Sequence, residues 1–194
     1  HGPGTTIGNI TWAPVNCGHH EEKAPGGKYY QWGRRFGYYT YKRLDGPVDL
    51  VEYQDEEYKD YYFNGGLNTW RNELWTNEYK SEYDPCPEGW TVPGNYYMFN
   101  ELTSRVAEVV RYGNKVLLAY GNNYPNAYTP SIELQKDQWY WTAQSDNETK
   151  SALSFMILEG YPYSQPYEKQ YSNKVRCIKG GSVIPVTDLQ LMKS

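Results

Sequence analysis

Aliphatic side chains are scarce: the 194 residues include only 12 Leu, 6 Ile, 11 Val and 4 Phe. A supply this thin warns of disorder when net charge is also high, but here the net charge is −4. Runs of Lys or Arg are missing, which argues against nucleic acid and anionic membrane surfaces as partners. No apolar run approaches the ~18 residues of a membrane span, so no membrane insertion is expected. Histidine is limited to His1, His19 and His20, and cysteine to Cys17, Cys86 and Cys177. With no Gly-x-Ser-x-Gly elbow, a Ser/His/Asp arrangement would have to use the His19–His20 pair. A hydrolase or oxidase is therefore the weakest reading, and no catalytic residue is assigned.

Aromatics take the place of the missing aliphatics. The chain holds 22 Tyr and 7 Trp, and tyrosine outnumbers glycine, of which there are 18. One core cannot give every buried phenol a hydrogen-bond partner, so many tyrosines are expected at the surface. Exposed Tyr mixed with Asn and Ser is the composition of recognition surfaces; a wet, aromatic-rich sheet face is the plain alternative.

The most constrained stretch is Asp84 to Pro93, DPCPEGWTVP, where prolines and a glycine forbid a helix or a central strand. It reads as a rigid corner with Cys86 as a covalent anchor and Trp90 as a core anchor. Before it, residues 1–9 read as a linker or expression scar on a processed or trimmed chain, and residues 10–17 as an edge strand carrying Trp12 and broken by Pro14. The loop with His19, His20, Glu21 and Glu22 lacks a third ligand at metal spacing and reads as solvated, so no metal is assigned. Tyr38 to Phe63 reads as a charged insertion, and Asn68 to Lys80 as a short helix with Trp70 and Leu74 on one side.

After the corner, Asn95 is placed to cap a second short helix reaching Ser104, with Met98 and Leu102 inward. Residues 105–112 and 115–120 flank Gly113–Asn114 as a hairpin. Residues 138–143, with Trp139 and Trp141 on one face, read as a strand, and 152–158 as a central strand apolar on both faces. Residues 121–130 and the proline-broken 161–171 read as loops, 174–179 as the last strand, and 181–194 as an extension or extra strand.

Taken in order, TWAPVNCG at 11–18, KYYQWGRRFG at 28–37, DPCPEGWTVP at 84–93, YWTA at 140–143 and VRCIK at 175–179 resemble the Fibrobacter succinogenes major paralogous domain family. That family occurs in secreted and surface proteins of Bacteroidetes and Fibrobacteres. The resemblance spans about residues 10–180 and implies an α+β, C-type-lectin-like domain. Its terminal strands pair, and two short helices and long loops surround a small twisted, mostly antiparallel sheet. It also implies a Cys86–Cys177 disulfide and with it an oxidising compartment; Cys17 with Cys177 stays open as the other pairing. Two departures are evident: Gly94 and Tyr97 replace the family's capping box, and the acidic insertion is longer.

The resemblance implies a non-catalytic extracellular or cell-surface module, attached to the outer membrane through a longer precursor. Its partner would be a protein or glycan on a host or neighbouring cell surface. The alternative is a structural or tip subunit contacting other subunits of a fimbria-like assembly. No cofactor is expected. Ligand residues are expected in the later loops: Tyr124, Tyr128, Asp146, Asn147, Tyr161, Tyr163 and Tyr167. Trp12, Trp90 and Trp141, with Cys86 and Cys177, carry structure. The Glu-Pro-Asn or Gln-Pro-Asp loop of a lectin calcium site is missing; Gln165–Pro166–Tyr167 is a partial echo.

Overall fold

In the computed structural model, which describes residues 2–145, 149–158 and 161–180, strands dominate and the class is mixed α+β. In chain order the strands are β1 (Thr5–Ile7), β2 (Ile10–Trp12), β3 (Tyr30–Gln31), β4 (Lys42–Asp45), β5 (Tyr61–Asn64), β6 (Trp90–Thr91) and β7 (Glu108–Tyr112). They continue with β8 (Lys115–Ala119), β9 (Ser131–Gln135), β10 (Tyr140–Ser145), β11 (Ser151–Leu158), β12 (Tyr161–Glu168), β13 (Ser172–Asn173) and β14 (Ile178–Lys179). The α-helices are α1 (Leu50–Tyr53) and α2 (Tyr96–Ser104).

The two ends of the described chain lie side by side. β2 and β14 pair antiparallel within a four-stranded sheet of order β1-β2-β14-β6. Thr5–Ile7, placed in a linker by sequence, belongs to this sheet: it pairs in register with Ile10–Trp12, and Ile7 is buried. The single small sheet expected is instead several. β7-β8-β9 and β10-β11-β12 form three-stranded antiparallel sheets, β3 pairs with β13, and β4 pairs parallel with β5. Gly113 turns the β7–β8 hairpin with φ of 57°, as the first position of a two-residue loop requires.

Two of the sequence's boundaries are corrected by packing. Residues 68–80 form one 3-10 turn, Asn72–Leu74, not a helix. Trp70 and Trp75 both contact Trp32, at 6.4 and 5.5 Å between ring centroids. In a helix, residues five apart diverge by roughly 140°, so an irregular chain is what lets both indoles face the same ring. Residues 161–168 are a strand, not a loop, paired throughout with β11. Pro162 and Pro166 have the same parity, so both nitrogens face away from the ladder, where no donor is needed.

Aromatics fill the core, as the composition demands. One cluster gathers Trp32, Trp75, Trp141, Tyr53 and Phe63 around the cysteines. The other packs α2 on the sheets through Trp12, Phe99, Leu102 and Phe155, with Phe99 stacked on Phe155 at 4.3 Å. In the first cluster each buried indole N–H finds a carbonyl: Trp32 donates to Thr142, Trp75 to Tyr83 and Trp141 to Tyr30.

The corner is fixed by one carboxylate. Asp84 accepts hydrogen bonds from the Cys86 and Val92 amides and the Thr91 hydroxyl, and pairs with buried Lys80 at 2.8 Å. Lys80 also donates to the Cys86 carbonyl. Cys86 is bonded to Cys177 across 91 residues, with their Cα atoms 6.0 Å apart. Cys17 is a free, buried thiol, and the three Sγ atoms lie within 4.8 Å of one another. Burial pushes the Cys17 thiol up to about 11, against the pull of its hydrogen bond with Tyr30. Trp12 and Trp141 are fully buried and Trp90, on β6, is partly so.

Candidate functional site: a tyrosine basin

The acidic insertion, unreadable from sequence, is organised from within by Arg34. Its guanidinium donates to the carbonyls of Tyr53, Tyr58 and Tyr61 at 2.9, 2.5 and 2.5 Å, and to Gln31 Oε1 at 3.3 Å. It also lies over the Phe63 ring, 4.5 Å from the centroid. Three carbonyls from three points of the chain thus converge on one planar donor, which holds α1 and the entry to β5 in place. Gln31 adds a bond to each side of the Phe63 backbone and a third to the Gln170 carbonyl. The insertion is thereby tied to the segment leading into β13.

That tie brings two tyrosine-rich segments together. Tyr29 and Tyr38 exchange backbone hydrogen bonds across the turn 30–37, and β3 pairs with β13, placing Ser172 opposite Gln31. Gly37 permits the turn, because a Cβ there would stand 2.6 Å from the Tyr30 ring. Around this junction an open cavity of about 380 Å³ is lined by Tyr29, Tyr38, Tyr39, Tyr41, Tyr62, Tyr167, Tyr171 and Ser172. Seven of its eight lining residues are tyrosines, and none is charged.

The rings form two contiguous walls. Tyr38, Tyr41 and Tyr62 meet pairwise at 5.2 to 6.4 Å with planes tilted by 55 to 79°. Tyr167 meets Tyr171 at 6.2 Å and 79°, and is backed by Trp139 and Trp141. Two hydroxyls are engaged internally: Tyr38 bonds Ser172 Oγ, and Tyr29 donates to Gln138 Oε1 at 3.0 Å. Burial raises Tyr29, Tyr38 and Tyr62 above the ordinary phenol range, so these groups stay protonated at neutral pH. Beneath Tyr29, the Lys174 ammonium lies 3.8 Å from the ring centroid and donates to the Gly27 carbonyl; burial lowers it to about 8. Chemically the lining offers ring faces, phenol hydrogen bonds and the Ser172 hydroxyl, which is bonded to Tyr38.

Of the ligand residues expected from sequence, Tyr167 alone lines the basin. Tyr161 and Tyr163 are exposed on β12 and share its face by parity, but Tyr163 lies four residues, about 13 Å, along the strand from Tyr167. Tyr124 and Tyr128 sit in the loop joining β8 to β9 in a different sheet, Tyr128 at 92% exposure. Asp146 and Asn147 lie outside the described residues. Sequence reasoning missed Tyr29, Tyr38, Tyr39, Tyr41, Tyr62 and Tyr171 as a set. The clustering of Tyr in 28–41 and 161–171 was a signal, but their meeting depends on a pairing between strands about 140 residues apart.

The ligand-type side chains of the 19–22 loop are used locally. His19 Nδ1 bonds the Pro25 carbonyl, and His20 Nδ1 accepts from the Glu22 and Lys23 amides. Comparison of the chain with protein-family models, with curated proteins and with solved structures finds no match.

Proposed function

We propose that the chain is a non-catalytic binding module that contacts a protein or glycan ligand through the tyrosine basin. The observation that carries this reading is the basin itself, an open, uncharged cavity walled by seven tyrosines. Tyr39, Tyr41 and Tyr171 are 46, 58 and 43% exposed, although large rings are usually drawn into the core. Tyrosine gives wide, rigid contact area at low entropic cost, with a polar tip for orientation. The basin stands on a framework of two aromatic core clusters and is held from below by Arg34 and Gln31, so little has to be ordered on binding.

The frame proposed is a C-type-lectin-like domain. Pairing of β2 with β14, the placement of α2 beside the sheets and the bond from corner to final strand all support it. The Cys86–Cys177 bond supports an extracellular or cell-surface setting, since such bonds persist where thiols are not kept reduced.

Glycan and peptide arrays probed with and without EDTA test the reading. A ligand is expected whose binding survives EDTA and weakens at least tenfold when Tyr39 or Tyr41 is replaced by alanine, the loss typical of an interfacial hot spot. Ligands whose binding ignores both substitutions would refute the basin as the contact surface.

A further inference from the structure

The lining chemistry narrows the ligand class, on the premise that the basin is the contact surface. We infer that it takes a proline-rich segment in the polyproline II conformation.

Charge is the first discriminator. No Asp, Glu, Lys, Arg or His lines the basin, so an ionic ligand would lose hydration there without gaining a counter-charge. The ligand's contacting part is neutral.

Hydrogen-bond type is the second. Tyr38 and Ser172 share one hydrogen bond, and Tyr29 is held by Gln138. The phenols of Tyr39, Tyr41, Tyr62, Tyr167 and Tyr171 therefore face the ligand as the remaining polar groups, each with one O–H to donate. A sugar presents adjacent hydroxyls that want carboxylate, carboxamide or guanidinium partners, and the lining has none. A polyproline II segment is the opposite case: its carbonyls make no internal bonds, and each proline lacks an N–H. It needs donors, and phenols supply them.

Relief is the third. The walls are not a flat platform on which a pyranose would lie; faces and edges alternate at 55 to 79°. Ridged aromatic walls of this kind receive the rings of a proline-rich helix, whose rigid backbone loses little entropy on docking.

The neighbouring strand argues against the other common way of holding an extended peptide. Along β12 the outward-facing nitrogens belong to Pro162, Ser164, Pro166 and Glu168, and two of these four carry no hydrogen. Such an edge resists strand addition.

The test uses the full chain and three neutral probes: end-capped decaproline, a Gly/Ser peptide of equal length, and a cello-oligosaccharide. Binding is followed by calorimetry and by the ring resonances of the tyrosines. Decaproline is expected to bind, to shift the Tyr39, Tyr41 and Tyr171 rings, and to weaken at least tenfold in Tyr41→Ala. Tyr41→Phe, which keeps the ring and removes the donor, is expected to fall between. The Gly/Ser peptide is expected to leave the rings unmoved. If the oligosaccharide moves those rings and decaproline does not, the peptide inference is overturned while the basin stands as a contact surface. If decaproline leaves the rings unmoved at millimolar concentration, or binds Tyr41→Ala and wild type alike, the inference is likewise overturned.

Discussion

Removing the Cys86–Cys177 bond measures how much of this fold's stability is held at the corner. The bond closes a loop with a sequence separation of 91, for which the chain-entropy model gives about 4 to 5 kcal/mol. The perturbation must be the double substitution Cys86→Ala/Cys177→Ala. A single Cys86→Ala leaves Cys177 within 4.8 Å of the Cys17 thiol, and under oxidising conditions those two sulfurs are expected to pair and restore a constraint of similar size. Urea denaturation is the assay. With a slope of about 2 to 3 kcal/mol per molar, the double variant is expected to unfold at roughly 2 M less urea. Cys17→Ala should lose only about 1 kcal/mol, as a small buried side chain does. Oxidised Cys86→Ala should stay nearer wild type, and its peptide map should contain a Cys17–Cys177 crosslink. A double variant within about 1 kcal/mol of wild type, or a Cys17→Ala variant as unstable as the double, would refute the reasoning.

Arg34→Ala strands three carbonyls on which the insertion depends, and is expected to cost about 3 kcal/mol or more. Arg34→Lys should fail to rescue it, because one ammonium cannot reach all three; equal melting temperatures for Arg34→Lys and wild type would count against this. Stability should also vary with pH in two opposed steps. Lys174 has a folded-state pKa lowered to about 8, so its burial penalty is present at neutral pH and is relieved as pH rises from there toward the ordinary lysine value. Cys17, raised to about 11 from 9.0, contributes stability that is present below 9 and lost as pH climbs toward 11. Buried Tyr30 and Tyr53, raised by burial, add to the loss at higher pH. Denaturation curves from pH 7 to 11 should therefore pass through a maximum near pH 9, and Lys174→Met should flatten the rising side; an unchanged rise would exclude Lys174 as its source. Finally, Tyr161→Ala and Tyr163→Ala should change stability by no more than about 0.5 kcal/mol and leave affinity for basin ligands unaltered. A tenfold loss in isothermal titration would move the contact surface to β12.

Much of the frame was legible because its determinants are local. Three prolines, a glycine and a cysteine in ten residues allow little except a corner, and its covalent role follows from Cys86. Gly113–Asn114 between apolar runs dictates a hairpin. Residues 152–158, apolar on both faces, belong at the centre of a sheet, where β11 is found. Asn95 marks the start of α2, although its side chain makes no capping hydrogen bond.

The errors share another cause. Residues 161–168 look like a loop because prolines usually break strands, and only the partner strand reveals that both fall on the outward side. Residues 68–80 look helical by spacing, and only the position of Trp32 shows that Trp70 and Trp75 must face one ring. The basin is the extreme case. Composition by itself determined that this chain folds around aromatics and leaves tyrosines at its surface, because aliphatic area is too scarce and phenols too many to bury. Which tyrosines line the basin was decided by tertiary structure alone. It needed β3 to find β13, and a buried arginine to gather three distant carbonyls; long-range pairings of this kind leave no periodicity in the sequence to read.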